Sequence, residues 1–456
     1  MAIYKDIEEI TVDAIVSCMK VHISNVERYK MLSKYYDGDH KILGRTFDNP
    51  KIPNNKLVCN HAEYITDMAT NYVFGNPVSY AGDGADQLNE LFTLIDEDSH
   101  NSELALDMSV FGLGHELIYM NEEQTPYPEL AVMSPLNTFV VCDTSVKHKP
   151  IFAVTYRRKK ENNKEIYIVD VYTKDEVITY ETDGLTDKNY KTQGTVAHYF
   201  KDVPVIEYKN NKRLRGDFEG VITLIDAYNK LQSDRINDKE QLVDAFLVLI
   251  GQSLGDTKEE MTETVKFLTE NKIIELDKDG DARWLVKQLD ENQTEILKDA
   301  VKKDIHAFSK VPNLTDDNFI GNSSGVAIKY KLIAFEQLGK SKERYFKQGL
   351  RKRLKLISNI ERIRANMIDV SDVNITMKRS LPIDEEMLAR IAMDTDGFLS
   401  HETRLQRFDE EIDASEELSK LDAEKEKAIE RQKAAMGYDD TQNNDDSNQD
   451  GIEDEE

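Results

Sequence analysis

Apolar residues recur at helical spacing from the start of the chain. Ile7, Ile10, Ala14, Cys18, Val26, Tyr29 and Tyr36 share one face, which predicts a helix from about Ile3 to Tyr36. Asp37-Gly38-Asp39 stops it, because glycine tolerates the left-handed conformation at a helix end. Beyond a loop with Pro50 and Pro53, helices are predicted over about Leu57–Phe74, Asp86–Glu97 and Ser102–Phe111, the first of these closed by Gly75-Asn76-Pro77. From Gly114 the period drops to two. Glu116–Met120, Glu129–Met133, Thr138–Cys142, Phe152–Arg158, Glu165–Tyr172 and Glu176–Glu181 are rich in Thr, Val, Ile and Tyr. With turns at Asn162-Asn163 and Asp183-Gly184, they predict an antiparallel β-rich unit that ends near Tyr208.

Helical periodicity returns at Phe218. Val221, Leu224, Ile225, Tyr228, Leu231, Val243 and Phe246 predict one long helix to about Ile250. Its middle, Ser233–Gln241, is polar apart from Ile236, so successive parts of the helix must face different surroundings. A short helix near Lys258–Glu270 follows. Then comes a hairpin of Lys272–Leu276 and Ala282–Val286 about an Asp279-Gly280 turn, and a returning helix over about Asn292–Ser309. The pattern is a helix going out, a small mixed insert, and a helix coming back. Val311–Ser324 reads as a loop rich in Asn, Asp, Ser and Gly. The longest predicted helix, Gly325–Met367, lies behind it with the stripe Phe346, Leu350, Leu354, Ile357, Ile360 and Met367. Shorter helices are predicted between Pro382 and Met436, with Ser400 as an N-cap and a weak heptad over Glu410–Lys433. The fold class is α+β, dominated by long helices.

Composition narrows the function. The chain has 456 residues, 39% apolar and 32% charged, with a net charge of −27. That balance disfavours a protein that grips nucleic acid through neutralised phosphates, but not one that surrounds DNA and lets it slide. No apolar run is long enough for a membrane span. Cys18, Cys59 and Cys142 match neither zinc spacing nor a disulfide framework and read as buried thiols. The tail Gly437–Glu456 has nine acidic and no basic residues and is expected not to fold.

No motif for catalysis survives its context. Gly321-Asn322-Ser323-Ser324-Gly325 has the G-x-S-x-G form, but the preceding Thr315-Asp316-Asp317-Asn318-Phe319 is loop-like rather than a strand, and His401 is the only histidine downstream. Leu338-Gly339-Lys340-Ser341 resembles the end of a phosphate-binding loop, yet Ala334 stands where the first glycine should be, within a helix. Asp277, Asp279 and Asp281 lack calcium-loop spacing. No two of the nine histidines have helical metal-pair spacing, and His61 reads as packing or surface. The basic residues Lys347, Arg351, Lys352, Arg353, Lys355, Arg362 and Arg364 read first as partners for acidic groups of a neighbouring subunit, and second as phosphate contacts.

Several segments, in order, carry a resemblance. They are Asn54-Asn55-Lys56-Leu57-Val58 through Tyr64-Ile65 to Phe74-Gly75-Asn76-Pro77-Val78-Ser79-Tyr80; Ser109-Val110-Phe111-Gly112; Ser134-Pro135-Leu136-Asn137-Thr138-Phe139; Gly220-Val221-Ile222-Thr223-Leu224-Ile225-Asp226-Ala227-Tyr228; Val311-Pro312-Asn313-Leu314; and Asn322-Ser323-Ser324-Gly325-Val326-Ala327-Ile328-Lys329-Tyr330-Lys331. Together, over about residues 50–365, they resemble the portal proteins of tailed phages, especially long-tailed phages of Gram-positive bacteria.

The resemblance implies a ring, usually of twelve subunits, at one capsid vertex. Residues 1–218 would be its wing, with the β-rich part at about 114–210. Residues 219–250 and 291–310 would be stem helices, and 251–290 the clip. Residues 311–324 would be a tunnel loop, 325–368 the helix behind it, 369–436 the crown and 437–456 the acidic tail. It further implies Asp316, Asp317, Asn318, Asn322, Ser323 and Ser324 near DNA, Asp234, Arg235, Asp238 and Lys239 in the stem channel, and Lys258, Lys272, Asp279 and Trp284 at the clip. Partners would be further copies, double-stranded DNA, the terminase large subunit, head-completion and connector proteins, and the major capsid and scaffolding proteins. The place would be the virion, with the host cytoplasm during assembly. No enzyme activity, cofactor, metal or membrane is expected. The competing readings are a monomeric acidic scaffold protein and a metal-dependent DNA-processing enzyme.

Overall fold

The structure is a computed structural model that describes residues 3–50, 52–82, 84–161, 164–242, 246–250, 255–271, 280–285, 291–314, 330–363, 370, 372–380, 393–394, 398–408 and 414–435. The chain divides into a larger unit, Met1–Ser380, and a smaller one, Leu381–Glu456. It is a mixed helix-and-sheet fold, as the periodicities predict.

The first helix, α1 (Val12–Tyr36), begins nine residues later than its apolar spacing suggests. Thr11 caps it, accepting from the Ala14 amide, and Ile3–Tyr4 before it form strand β1 instead. The two halves of α1 serve different cores. Ile15, Cys18 and Met19 pack on a six-stranded sheet, while Tyr29, Leu32 and Tyr35 join the main helical core.

That main core is made by α2 (His61–Phe74), β2 (Ser79–Ala81), α3 (Ala85–Leu94), α4 (Glu97–Phe111) and the long helix α8 (Ile333–Ile363). The strands that follow are β3 (Leu113–Met120), β4 (Pro128–Met133), β5 (Thr138–Cys142), β6 (Pro150–Glu161), β7 (Lys164–Tyr172), β8 (Glu176–Thr182), β9 (Lys191–Ala197) and β10 (Val205–Lys209). They form two sheets, in the orders β1-β5-β6-β7-β8-β9 and β10-β3-β4. Every pairing is antiparallel except β1 on β5. Phe139, Val141, Phe152, Val154, Val169 and Val171 alternate towards α1, while Val140 and Ala153 on the other face are buried with Val203 and Val205.

Helix α5 (Ile222–Leu242) ends earlier than the apolar spacing suggests. Phe246-Leu247-Val248-Leu249-Ile250 is instead strand β11, which suits its β-branched and aromatic content. It pairs antiparallel with β12 (Asp281–Leu285), across helix α6 (Lys258–Asn271). The second arm of the hairpin expected between 272–276 and 282–286 is strand β12, which pairs with β11; residues 272–279, with the first arm and most of the turn, lie outside the described residues. Helix α7 (Glu291–Ser309) returns along α5.

The long helix α8 is described over Ile333–Ile363, and its stripe of Phe346, Leu350, Leu354, Ile357 and Ile360 is buried as expected. Strand β13 (Asn374–Thr376) then pairs with β2 and closes the larger unit. In the smaller unit, α9 (His401–Phe408) carries the Ser400 cap, whose hydroxyl accepts from the Thr403 amide. Helix α10 (Ala414–Ala435) follows. The acidic tail lies outside the described residues.

Glycine sets the approach of α8 to its neighbours. A Cβ on Gly349 would run into the Tyr208 ring. Gly349→Ala should gain about 1 kcal/mol of helix propensity and lose more than that to overpacking, which typically costs about 1–3 kcal/mol. The denaturation midpoint should fall; an unchanged midpoint would mean that the ring moves aside at no cost.

Candidate functional site

The polar middle of α5 has a specific use. Asn229, Ser233 and Asn237, each four residues apart, lie buried on one face of that helix. They accept from alternate backbone amides of the extended arm before α2: Cys59 N to Asn229 Oδ1 at 2.8 Å, Leu57 N to Ser233 Oγ at 2.9 Å, and Asn55 N to Asn237 Oδ1 at 2.8 Å. The Ser233 hydroxyl donates in turn to the Asn229 carbonyl. The Asn229 amide donates to His40 Nδ1 at 2.7 Å, leaving His40 Nε2 to donate to the Tyr35 carbonyl. An extended strand leaves its inner amides unpaired unless something outside it accepts, and here the helix side chains do so. Ser233→Ala should therefore leave a buried amide without a partner and cost about 1–3 kcal/mol. Faster hydrogen exchange at Leu57, with little change in α8, is the measurement that checks it.

The stem residues Asp234 and Arg235 are held by partners on other elements of the chain. Arg45 Nη1 donates to Asp234 Oδ1 at 2.6 Å, while its other nitrogens hold the Asn54 side chain and the Asn55 carbonyl. Arg235 Nη1 lies 2.8 Å from Glu295 Oε2 on α7, and Lys298 bonds the other oxygen of that carboxylate. The Lys298 hydrogen bond and the Arg235 charge hold Glu295 below the usual carboxylate range. Asp238 and Lys239 stand one turn further along α5. Of the clip residues, Lys258 is exposed at the first position of α6, and Trp284 stands opposite Leu247 in the β11–β12 ladder. Lys272 and Asp279 lie outside the described residues, as do Asp316, Asp317, Asn318, Asn322, Ser323 and Ser324.

The root of that last segment is described. The Tyr64 hydroxyl donates to the Pro312 carbonyl and accepts from the Leu314 amide, both at 3.0 Å. His306 Nδ1 meets the Val311 carbonyl at 3.0 Å. His61 stands edge-on to Tyr228 and His306, which agrees with the packing role read for it. Burial, with His306 and Lys302 nearby, lowers its pKa to about 4.

Sequence reasoning missed a buried charge cluster under α8. Arg353, assigned above to a basic stripe facing a neighbouring subunit, is wholly enclosed in its own chain. Its Nη2 donates to Asn101 Oδ1 at 2.8 Å and Glu116 Oε1 at 2.5 Å, its Nε to Glu116 Oε2 at 3.1 Å, and its Nη1 to Glu97. Tyr80, Tyr208 and His100 donate to the same two carboxylates. Burial pushes the Glu116 carboxyl up, but the Arg353 guanidinium and the His100 hydrogen bond outweigh it and hold its pKa at about 2. A second pair, Lys342 with Asp217, is also buried; Asp217 further accepts from Ser109 and Asn210. These clusters fix α8 to α4, β3 and the turn before α5. Their charged groups are almost wholly buried within the chain.

Leu338-Gly339-Lys340-Ser341 lies within α8 and forms no phosphate loop; Gly339 instead makes room for the Tyr72 ring. Residues 321–325 are outside the described residues. Among the described residues, no group of histidine, cysteine and carboxylate side chains is placed to hold a metal ion, and no helix is long and apolar enough to cross a membrane.

Residues 17–431 match a family model described as "Phage portal protein, SPP1 Gp6-like". The portal protein of Clostridium phage phiCD119 is 26% identical over 416 residues, covering 86% of this chain and 89% of that protein. The portal protein of Bacillus phage SPP1 is 22% identical over 470 aligned residues, covering 98% and 91%. Among solved structures, the chain is similar to one in the neck of an empty GTA particle, computed with C6 symmetry (TM-score 0.44, 13% identity, 76% of this chain and 89% of that one). It is also similar to one in the neck of a native GTA particle, computed with C12 symmetry (TM-score 0.43, 12% identity, 75% and 88%).

Proposed function

The chain belongs to the SPP1 Gp6-like family of phage portal proteins, and from that membership we propose that its copies close into a ring of about twelve at one capsid vertex, through which double-stranded DNA is packaged and later ejected. The observation that carries this reading is the extent of the match. Residues 17–431 take in both larger sheets apart from β1, the α5–α7 pair and α8, so the likeness spans the framework and not one module.

In this reading α5 and α7 are stem helices. Residues 251–290 between them form the clip, where the terminase large subunit docks during packaging and connector and head-completion proteins dock afterwards. Lys258, Lys272, Asp279 and Trp284 would make those contacts. Residues 311–324 reach towards DNA, with Asp316, Asp317, Asn318, Asn322, Ser323 and Ser324 nearest to it, and 369–436 form the crown. Major capsid and scaffolding proteins border the wing. The ring acts in the virion and assembles in the host cytoplasm.

The net charge of −27 supports a passive conduit, because a wall that neutralised phosphates strongly would hold the duplex in place. Asp234, Arg235, Asp238 and Lys239 are then the α5 residues assigned to the channel wall. Asp234 and Arg235 brace the stem through Arg45 and Glu295.

Native mass spectrometry with negative-stain microscopy tests the ring. Closed rings with a hole as wide as a duplex are expected, and a strict monomer at every concentration and salt would overturn the proposal. Deleting Asp316–Asn318 should leave rings intact and lower the DNA packaged per particle; normal packaging would remove that segment from the mechanism.

A further inference from the structure

The larger unit contains a cavity of about 550 Å³ whose charge opposes that of the whole chain. It opens between β5, the β5–β6 loop, the β7–β8 turn, the segment leading into β10, and the outer face of α8. Seven lysines line it. Lys355 is paired with Asp202 at 2.8 Å, and Lys209 lies 3.6 Å from Glu207. Lys147, Lys174, Lys201 and Lys352 are exposed at the rim, and none has a carboxylate of the described residues within ion-pair distance. Such a concentration of like charge raises the energy of the empty cavity and attracts an anion.

Two further features shape the ligand. The walls include apolar side chains, among them Val140, Val203, Val205 and Leu356. Two rim residues, His148 (φ 47°) and Lys201 (φ 57°), hold left-handed backbone conformations that cost about 1–2 kcal/mol each for a residue with a Cβ.

We propose that this cavity is a docking site for an acidic peptide segment of a partner polypeptide, one that carries an apolar side chain among its carboxylates. The charge complementarity selects an anion, and the apolar floor selects a peptide. A DNA duplex is a convex rod with its phosphates spread along it; it would touch the rim and leave the floor wet. A free phosphate would satisfy only a few lysines and would also leave the floor unfilled. A peptide supplies both parts: carboxylates to the rim, where electrostatic complementarity chiefly sets specificity, and a side chain that displaces water from the floor. The inference does not depend on the ring, because every residue it uses lies in one chain.

The test uses the full chain and fluorescence anisotropy. One probe is a short labelled peptide of glutamates around a single leucine, and the other is the same peptide with that leucine replaced by glutamate. The leucine peptide should bind more tightly, and charge reversal by Lys201→Glu with Lys352→Glu should weaken it by about tenfold. Lys20→Glu, on the exposed face of α1, should leave it unchanged. Duplex DNA of equal total charge should not displace the peptide. Absent binding, binding indifferent to the reversal, or displacement by the duplex would each overturn the proposal, the last by making the cavity a phosphodiester site. Should the double reversal fail to fold, Lys147→Gln with Lys174→Gln removes rim charge without introducing repulsion, and the same weakening is expected of it.

Discussion

Arg353→Ala should lower the stability of the larger unit by about 4 kcal/mol, because removing one partner from a buried ion cluster strands the others in a medium that cannot solvate them. Glu97 and Glu116 would both lose the guanidinium that neutralises them, while Tyr80, Tyr208, His100 and Asn101 would surround a cavity. The loss should appear as a lower denaturant midpoint. The informative companion is a triple variant: Arg353→Met with Glu97→Gln and Glu116→Gln removes the charges together, and buried ion clusters replaced by apolar or neutral groups are often close to neutral in stability. Recovery of most of the loss by the triple variant would locate the cost of Arg353→Ala in uncompensated charge. Equal damage in both would locate it in lost packing.

Acidification should unfold the protein earlier than its carboxylates alone would. Burial lowers the pKa of His22 and His61 to about 4 and that of His115 to about 3, from an ordinary 6.5. His115 is buried, both ring nitrogens are without hydrogen-bond partners among the described residues, and Glu207 at 3.9 Å does not offset the burial. In the unfolded chain all three accept a proton near pH 6.5, whereas the folded chain withholds it. The unfolded state therefore binds more protons below pH 6.5, and stability is lost as pH falls from 6.5 to about 4, and to about 3 for His115. One pKa unit corresponds to about 1.4 kcal/mol, so the three together represent several kcal/mol between pH 7 and pH 4. Glu116 acts in a lower window: its depressed pKa stabilises the fold above the ordinary value of 4.5, and that stability is lost as pH falls towards about 2. Urea midpoints measured across pH 4–7 should slope throughout, and His115→Phe should flatten part of the slope. A flat profile down to pH 4.5 would show that these rings are not withheld from protons.

Much of the fold was legible because periodicity is local. The stripe of α8, the alternation of β6 to β8, and the out-and-back path of α5 and α7 follow from spacing alone. The end of α5 was not legible, because Phe246 continues the helical spacing while its true partner, Leu285, lies far along the chain. The buried cluster could have been found. Phe335, Gly339, Lys342, Phe346, Leu350, Arg353, Ile357 and Ile360 step by three and four along one face of α8. Phase, rather than basic composition, marks Lys342 and Arg353 as interior and leaves Lys352 and Lys355 outside. Their partners were beyond reach, since nothing in sequence singles out Glu97, Glu116 and Asp217 from 86 acidic residues. Likewise Asp234 and Arg235 read as charged helix positions, and only the fold supplies Arg45 and Glu295.

The arm laid along α5 has a further consequence for how this family can vary. Four residues of helix advance about 6 Å, and two residues of extended chain about 6.6 Å, so the two elements work like the scales of a vernier, with coincidences at 59 and 229, 57 and 233, 55 and 237. Inserting one residue between Asn55 and Cys59 would turn carbonyls towards α5 on one side of the insertion, and the side chains there would have to present donors in place of the oxygens that now accept, at the cost of their present bonds. Length changes in this arm should therefore come in steps of two residues, or be matched by a compensating change of side chain on α5.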